Sequence, residues 1–214
     1  MDVTRSAAER VYQHAKNAIL TGRYPAGDLI SEGDIAADVG FSRTPVREAL
    51  LRLETDGLVR LYPKRGALIV PVSQQEIDDV VETRRLIEGF TARRAAEAVP
   101  ETRRELAERL DHHLTTMRRE AGSDRSAFVL ADREFHRAVV TATGNRILSQ
   151  LYESLRDRQL RMMQENARTV ARLQHYITEH AAILDAVRAG APDAADAAVN
   201  AHLDTAAAAI GARR

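Results

Sequence analysis

The sequence predicts a mainly α chain in two parts: three helices with a small β-hairpin, then an all-α bundle of six helices. Three observations carry that prediction. Apolar residues recur at helical spacing along almost the whole chain, except for two short runs between residues 58 and 70 that are rich in leucine and β-branched residues. Aromatics make up only 4% of 214 residues and Trp is absent, while 44% are hydrophobic, so the core must be built from Ala, Leu, Ile and Val. That composition suits packed helices better than a β-sandwich. Gly, Pro and Asn then punctuate the periodic segments at positions that separate them cleanly.

In chain order, Val11, Ala15, Ala18 and Ile19 form the inward stripe of a first helix that Gly22 closes, and "YPAGD" is a turn. Ser31 with Asp34 is an acidic variant of the capping box and opens a second helix through Val39, which Gly40 ends. "FSRTPVREAL", Phe41 to Leu50, starts a third helix running to about Asp56, with Gly57 as its stop. "LVRLYP" and "ALIV" are strands joined by "KRG". Three helices and a hairpin with a basic tip form the winged helix-turn-helix pattern. Pro71 ends it, so the expected domains are residues 1–71 and 72–214. "SQQE", Ser73 to Glu76, is a capping box opening the second domain. Pro100, Gly122–Ser123, Gly144–Asn145, a polar stretch near Asn166, and Gly190 with Pro192 divide the rest into six helices.

Thirty-one basic residues balance thirty-one acidic ones, so any nucleic-acid footprint must be local. The absence of cysteine excludes disulfides and thiolate metal sites and fits a reducing cytoplasm. "MDVTRSAAER" has no apolar signal core, and no run of about eighteen apolar residues exists to span a bilayer. A cytoplasmic protein without membrane contact is expected.

The third helix places cations at its start, where the helix dipole disfavours them. With Ser42 or Thr44 as its cap and Pro45 in its first turn, Val46, Leu50 and Leu53 face inward while Arg43, Thr44 and Arg47 stay exposed. Such an end can enter a major groove, where arginine reads guanine. From Phe41 to Arg65 six basic residues oppose three acidic ones, clustering at the helix start and at the hairpin tip of Lys64, Arg65 and Gly66. The plainer alternative is a solvated basic helix with an ordinary Glu48–Arg52 pair.

"PAGDLISEGDIAADVGFSRTPVREALLRLETDGLV" followed by "RGALIV" resembles the GntR family of bacterial transcription regulators, in which "SRTPVREAL" is a signature. The resemblance implies that Ser42, Arg43, Thr44, Pro45 and Arg47 contact double-stranded operator DNA and that Gly66 lies in a wing at the minor groove. Several family members carry an arginine at the position of Gly33. The glycine removes that contact, and Arg65 can compensate.

In the second domain Asp132 and His136 share one helix face with Phe128, Phe135 and Val139. His180 sits in the stripe Leu173, Ile177, Leu184, Val187, and His202 in the stripe Val199, Ala206, Ile210. One such histidine is ordinarily a hydrogen-bonded core residue. An acid and three imidazoles on apolar faces of three helices satisfy one another by holding a divalent metal ion. The donor set suits Zn, Ni, Mn or Fe, with Zn or Ni favoured. His14, His112, His113 and His175 lack this placement and read as surface. Arg84 interrupts the stripe Ile77, Val81, Ile87, with Glu88 one turn on. It is either half of a structural ion pair or the anchor of a small organic acid effector beside the metal.

"ETRRLIE", "DREFHRAVVTATGN", "TEHAAILDAVRAG" and "NAHL" resemble the FCD ligand-binding domain of the FadR subfamily, and six helices fit its VanR-like branch. There the matching Asp and three His bind a divalent metal. The expected function is a ligand-responsive regulator, a repressor acting as a homodimer on a palindromic operator. The alternatives are a metal-dependent enzyme, for which no separate general base or phosphate loop is visible, and a constitutive DNA-binding protein with a structural metal.

Overall fold

The computed structural model describes residues 6–166 and 169–211, and the chain divides into two compact units, Met1–Val72 and Ser73–Arg214. In the first unit, α1 (Ala7–Leu20), α2 (Glu32–Val39) and α3 (Arg43–Thr55) enclose a core of Val11, Ala15, Ile19, Ile35, Val46, Leu50 and Leu53. Ser31 and Asp34 form both bonds of the capping box on α2, and Gly40 closes that helix in the left-handed region. Ser42 is the N-cap of α3, yet its hydroxyl makes no capping bond.

The sheet has three strands, β1 (Leu29–Ile30), β2 (Val59–Tyr62) and β3 (Gly66–Ile69), ordered β1-β3-β2 and antiparallel throughout. The hairpin is the expected one; β1 is an addition, because a two-residue strand shows no periodicity and is defined only by its partner. Its presence gives Gly66 an internal role. At φ 108° a Cβ on Gly66 would lie 2.3 Å from the Ile30 carbonyl oxygen, so only glycine lets β3 start this close to β1. In place of the Glu48–Arg52 pair of the plainer alternative stands a tertiary one: Arg52 Nη1 donates to Glu9 Oε2 at 2.6 Å and its guanidinium lies 4.0 Å from the Tyr12 ring centroid.

The second unit is all helix: α4 (Gln74–Arg84), a π-helical turn (Arg85–Gly89), α5 (Phe90–Ala96), α6 (Pro100–Glu120), α7 (Arg125–Thr141), α8 (Arg146–Ser154), α9 (Arg156–Asn166), α10 (Val170–Ala189) and α11 (Pro192–Gly211). The π turn runs into its neighbours through right-handed helical residues, and only Leu155 separates α8 from α9, so the described residues form the six rods expected. The break expected near Asn166 falls on residues 167–168, which lie outside the described residues, as does the side chain of Ile210. Of the capping box at Ser73, half is present. The Ser73 hydroxyl accepts the Glu76 N–H, while the Glu76 carboxylate turns to Arg161 at 3.3 Å.

The helices α6, α7, α10 and α11 pack side by side, and α11 lies against the π turn and α5. Gly89 lies at that contact, where a Cβ would meet the Asp196 side-chain tip, Oδ1, at 2.5 Å. The ion pair Arg85–Asp204 fastens α11 to the π turn, and Arg93–Asp193 fastens it to α5. Among the described residues no helix is long and apolar enough to cross a membrane.

Candidate metal centre and nucleic-acid interface

On the first unit, Arg43, Thr44 and Arg47 are exposed at the start of α3, with Ser42 and Pro45 in the same turn. A concave surface of about 660 Å³ joins this helix to the hairpin and is lined by Gly33, Arg43, Arg47, Lys64, Arg65 and Gly66 among others. Helix and hairpin cations therefore share one hollow. Lys64 occupies its tip with φ 63°, a conformation that turns the chain sharply between the strands.

One acidic partner had no sequence signal. Glu32 accepts Arg47 Nε at 2.9 Å and Nη2 at 2.9 Å, a bidentate pair across the hollow. The hydrogen bonds from Arg47 lower the Glu32 carboxyl and raise the guanidinium. The pair is exposed to water, so a stronger anion can displace the carboxylate.

On the second unit, Asp132 and His136 of α7, His180 of α10 and His202 of α11 are all buried, and one donor atom from each lies within 4.8 Å of the others. The stripes that carry them are those read from the sequence: Phe128, Phe135 and Val139 on α7, Leu173, Ile177, Leu184 and Val187 on α10, Val199 and Ala206 on α11.

Each imidazole is held by its Nδ1. His136 Nδ1 is 2.7 Å from Glu88 Oε2, His180 Nδ1 is 2.7 Å from the Tyr176 carbonyl oxygen, and His202 Nδ1 is 2.8 Å from Glu179 Oε2. A carbonyl or a carboxylate only accepts, so each Nδ1 carries a proton, and the ring in its neutral form presents its Nε2 lone pair to the centre. There His180 Nε2 stands 3.0 Å from His136 Nε2 and 3.2 Å from Asp132 Oδ1. Asp132 Oδ1 is buried and completes no hydrogen bond despite that approach. Lone pairs and a carboxylate thus converge on one point without a donor among them. An ion of positive charge satisfies all four, and protein groups of this type suit a divalent metal.

Burial pushes the imidazoles of His136 and His202 down. Burial works to raise the Glu88 carboxyl, but Arg84 and His136 beside it hold it below the usual carboxylate range.

Arg84 makes the structural pair with Glu88, Nε to Oε1 at 2.5 Å and Nη2 to Oε2 at 3.4 Å, both residues being buried. It also lines a cavity of about 30 Å³ together with Asp132, His136, His202 and Tyr176. That volume holds about two water molecules. The anchors Glu88, Glu179 and Tyr176 form a second layer that spacing alone did not reveal, because each acts across helices or through its backbone. Of the remaining histidines, His14 pairs with Asp38 at 2.9 Å, His175 with Glu179 at 3.2 Å, and His113 is half-buried rather than on the surface.

Comparison with known proteins gives two family matches. Residues 7–69 match the family of bacterial regulatory proteins named gntR, and residues 79–205 match the FCD domain. A relative from Paenarthrobacter nicotinovorans named "Probable D-xylose utilization operon transcriptional repressor" is 30% identical over 199 residues, covering 92% of this chain and 86% of its own. An HTH-type transcriptional regulator of Agrobacterium vitis is 44% identical over 94 residues, which span 42% of this chain and 55% of that protein. Among solved structures, a GntR transcriptional regulator from Rhodococcus sp. RHA1 superposes with a TM-score of 0.75 at 25% identity, covering 98% of this chain and 100% of its own.

Proposed function

The chain belongs to the GntR family of bacterial regulatory proteins and carries an FCD domain, and from that premise we propose that it represses transcription by binding a palindromic operator as a homodimer, under control of a small organic acid sensed at a metal in its bundle. It is a regulator, not an enzyme, and relatives such as the Paenarthrobacter nicotinovorans protein carry repressor names. Asp132, His136, His180 and His202 hold the metal, with Glu88, the Tyr176 carbonyl and Glu179 fixing the three rings. The convergence of the imidazole Nε2 atoms, each ring anchored through Nδ1, is the observation that carries this reading.

When bound, the metal supplies a Lewis-acidic position for a carboxylate oxygen. Zn or Ni suits a donor set of three imidazoles and one carboxylate best, with Mn or Fe also accommodated. Arg84 orients the acid. Its pair with Glu88 fixes the guanidinium at the cavity wall, where it can meet a second carboxylate oxygen. In the first unit, Arg43 and Arg47 read base edges while Ser42, Thr44, Pro45, Lys64, Arg65 and Gly66 meet the DNA backbone and the minor groove.

Arg84→Lys tests the acid site. Alanine would strand the buried Glu88 carboxylate, a loss of about 3–5 kcal/mol, whereas lysine keeps a charge there but loses the fork. The lysine variant is expected to retain its metal and to bind small carboxylates at least tenfold more weakly by calorimetry. Equal affinity in both proteins would make Arg84 purely structural.

A further inference from the structure

Among the described residues, the charged side chains lining the hollow between α3 and the hairpin are the cations Arg43, Arg47, Lys64 and Arg65 and the carboxylates Glu32 and Glu54. An acid on a face that meets a polyanion weakens the protein's attraction to it. Glu32 is accounted for by its fork on Arg47. Glu54 makes a different bond. It stands seven residues beyond Arg47, and so on the same face of α3. Its Oε1 accepts the backbone N–H of Leu61 at 2.7 Å.

Leu61 lies on β2, which pairs with β3 alone and is an edge of the sheet. Such an edge leaves N–H groups outside the ladder, and Glu54 ties one of them to α3. The place of the tie matters. Val59 is buried in the core of the unit and Tyr62 is exposed, so the bond falls where the strand leaves the core. Beyond it the tip is stiff. Pro63 fixes one corner of the turn, Lys64 takes the left-handed conformation, and the Arg65 N–H closes the turn on the Tyr62 carbonyl at 3.0 Å. A stiff tip moves as one body, and the direction in which it carries Lys64 and Arg65 is set at its root.

We infer that Glu54 is a positioning residue for DNA binding: by holding the Leu61 N–H it sets the hairpin against α3, so that the cations of the tip and those at the start of α3 reach one duplex together. This rests on the reading of the hollow as the DNA-binding face. The attraction lost to the negative charge of Glu54 is offset by a tip that arrives already aimed.

Titration of a labelled duplex of mixed sequence at fixed low salt tests the inference, using wild type, Glu54→Gln and Glu54→Ala, each with and without Lys64→Ala. Both replacements of Glu54 remove one negative charge, but only glutamine keeps an oxygen that can accept the Leu61 N–H. Alanine is the strongest helix former, so α3 persists in that variant. Glu54→Gln is expected to bind at least as tightly as wild type. Glu54→Ala should bind about three- to tenfold more weakly than Glu54→Gln, the worth of one hydrogen bond. Lys64→Ala should cost its full loss of affinity in wild type and in Glu54→Gln, and much less in Glu54→Ala, where a loosened tip no longer delivers Lys64. Equal affinity of the glutamine and alanine variants would show that Glu54 acts only as a charge and would overturn the assignment. A loss on Lys64→Ala that is the same in all three backgrounds would overturn it too. A wild type whose affinity ignores Lys64→Ala would remove the hairpin from the DNA-binding face, and this inference with that reading.

Discussion

Replacement of His180 by alanine is expected to empty the bundle of its metal and to lower its melting temperature by about 5–10 °C. An ion present at a hundredfold excess over its dissociation constant stabilises the folded state by about 2.7 kcal/mol, and each kcal/mol is worth about 2–4 °C in a chain of this size. His180 is the residue to change because its Nε2 stands within 3.2 Å of both His136 Nε2 and Asp132 Oδ1, so its loss breaks the convergence at its centre. A strong chelator should bring metal-loaded wild type down to a similar temperature and leave His180→Ala where it is. Metal analysis beside differential scanning calorimetry checks both statements. A wild type that is verified as metal-loaded and indifferent to chelator would exclude a stabilising ion at these four residues.

The second large effect is on DNA. Arg43→Ala and Arg47→Ala should each lower the ratio of operator to scrambled-DNA affinity by about 10- to 100-fold, since a bidentate arginine contact discriminates by about 1–3 kcal/mol. Lys64→Ala should weaken both DNAs alike and reduce the steepness of the salt dependence by about one charge. Arg47 must first leave Glu32, an exposed carboxylate that water and phosphate can replace. Titrations at fixed salt decide the matter. Unchanged ratios in both arginine variants would remove α3 as the reading element.

What could be read in the sequence follows from the range of the interactions involved. The hairpin is visible because the apolar period changes at Leu58, and α2 because Ser31 and Asp34 cap it within four residues. Asp132 and His136 are visible as a pair because a helix brings i and i+4 together. His180 and His202 become legible only as polar residues on otherwise apolar stripes, and the resemblance to known families sharpened both halves. Contacts between elements have no such signature. β1 exists only through its pairing with β3. Arg52 leaves its helical neighbour Glu48 for Glu9 and Tyr12, where the ring and the acid together outbid a solvated pair. Glu88 was legible as the partner of Arg84, but its second oxygen reaches His136 from another helix, and the π turn that carries it packs against α11. Glu179 reaches His202 in the same way.

The most direct test of the account is the operator affinity of metal-loaded and metal-stripped protein, each measured with and without an acid that calorimetry has shown to bind. The account predicts that the acid changes operator affinity about 5- to 150-fold in the metal-loaded protein, the usual span of an allosteric coupling of 1–3 kcal/mol. Operator must change the acid's affinity by the same factor, and the stripped protein must show neither shift. An operator affinity that ignores the bound acid, or a response that survives removal of the metal, would contradict it.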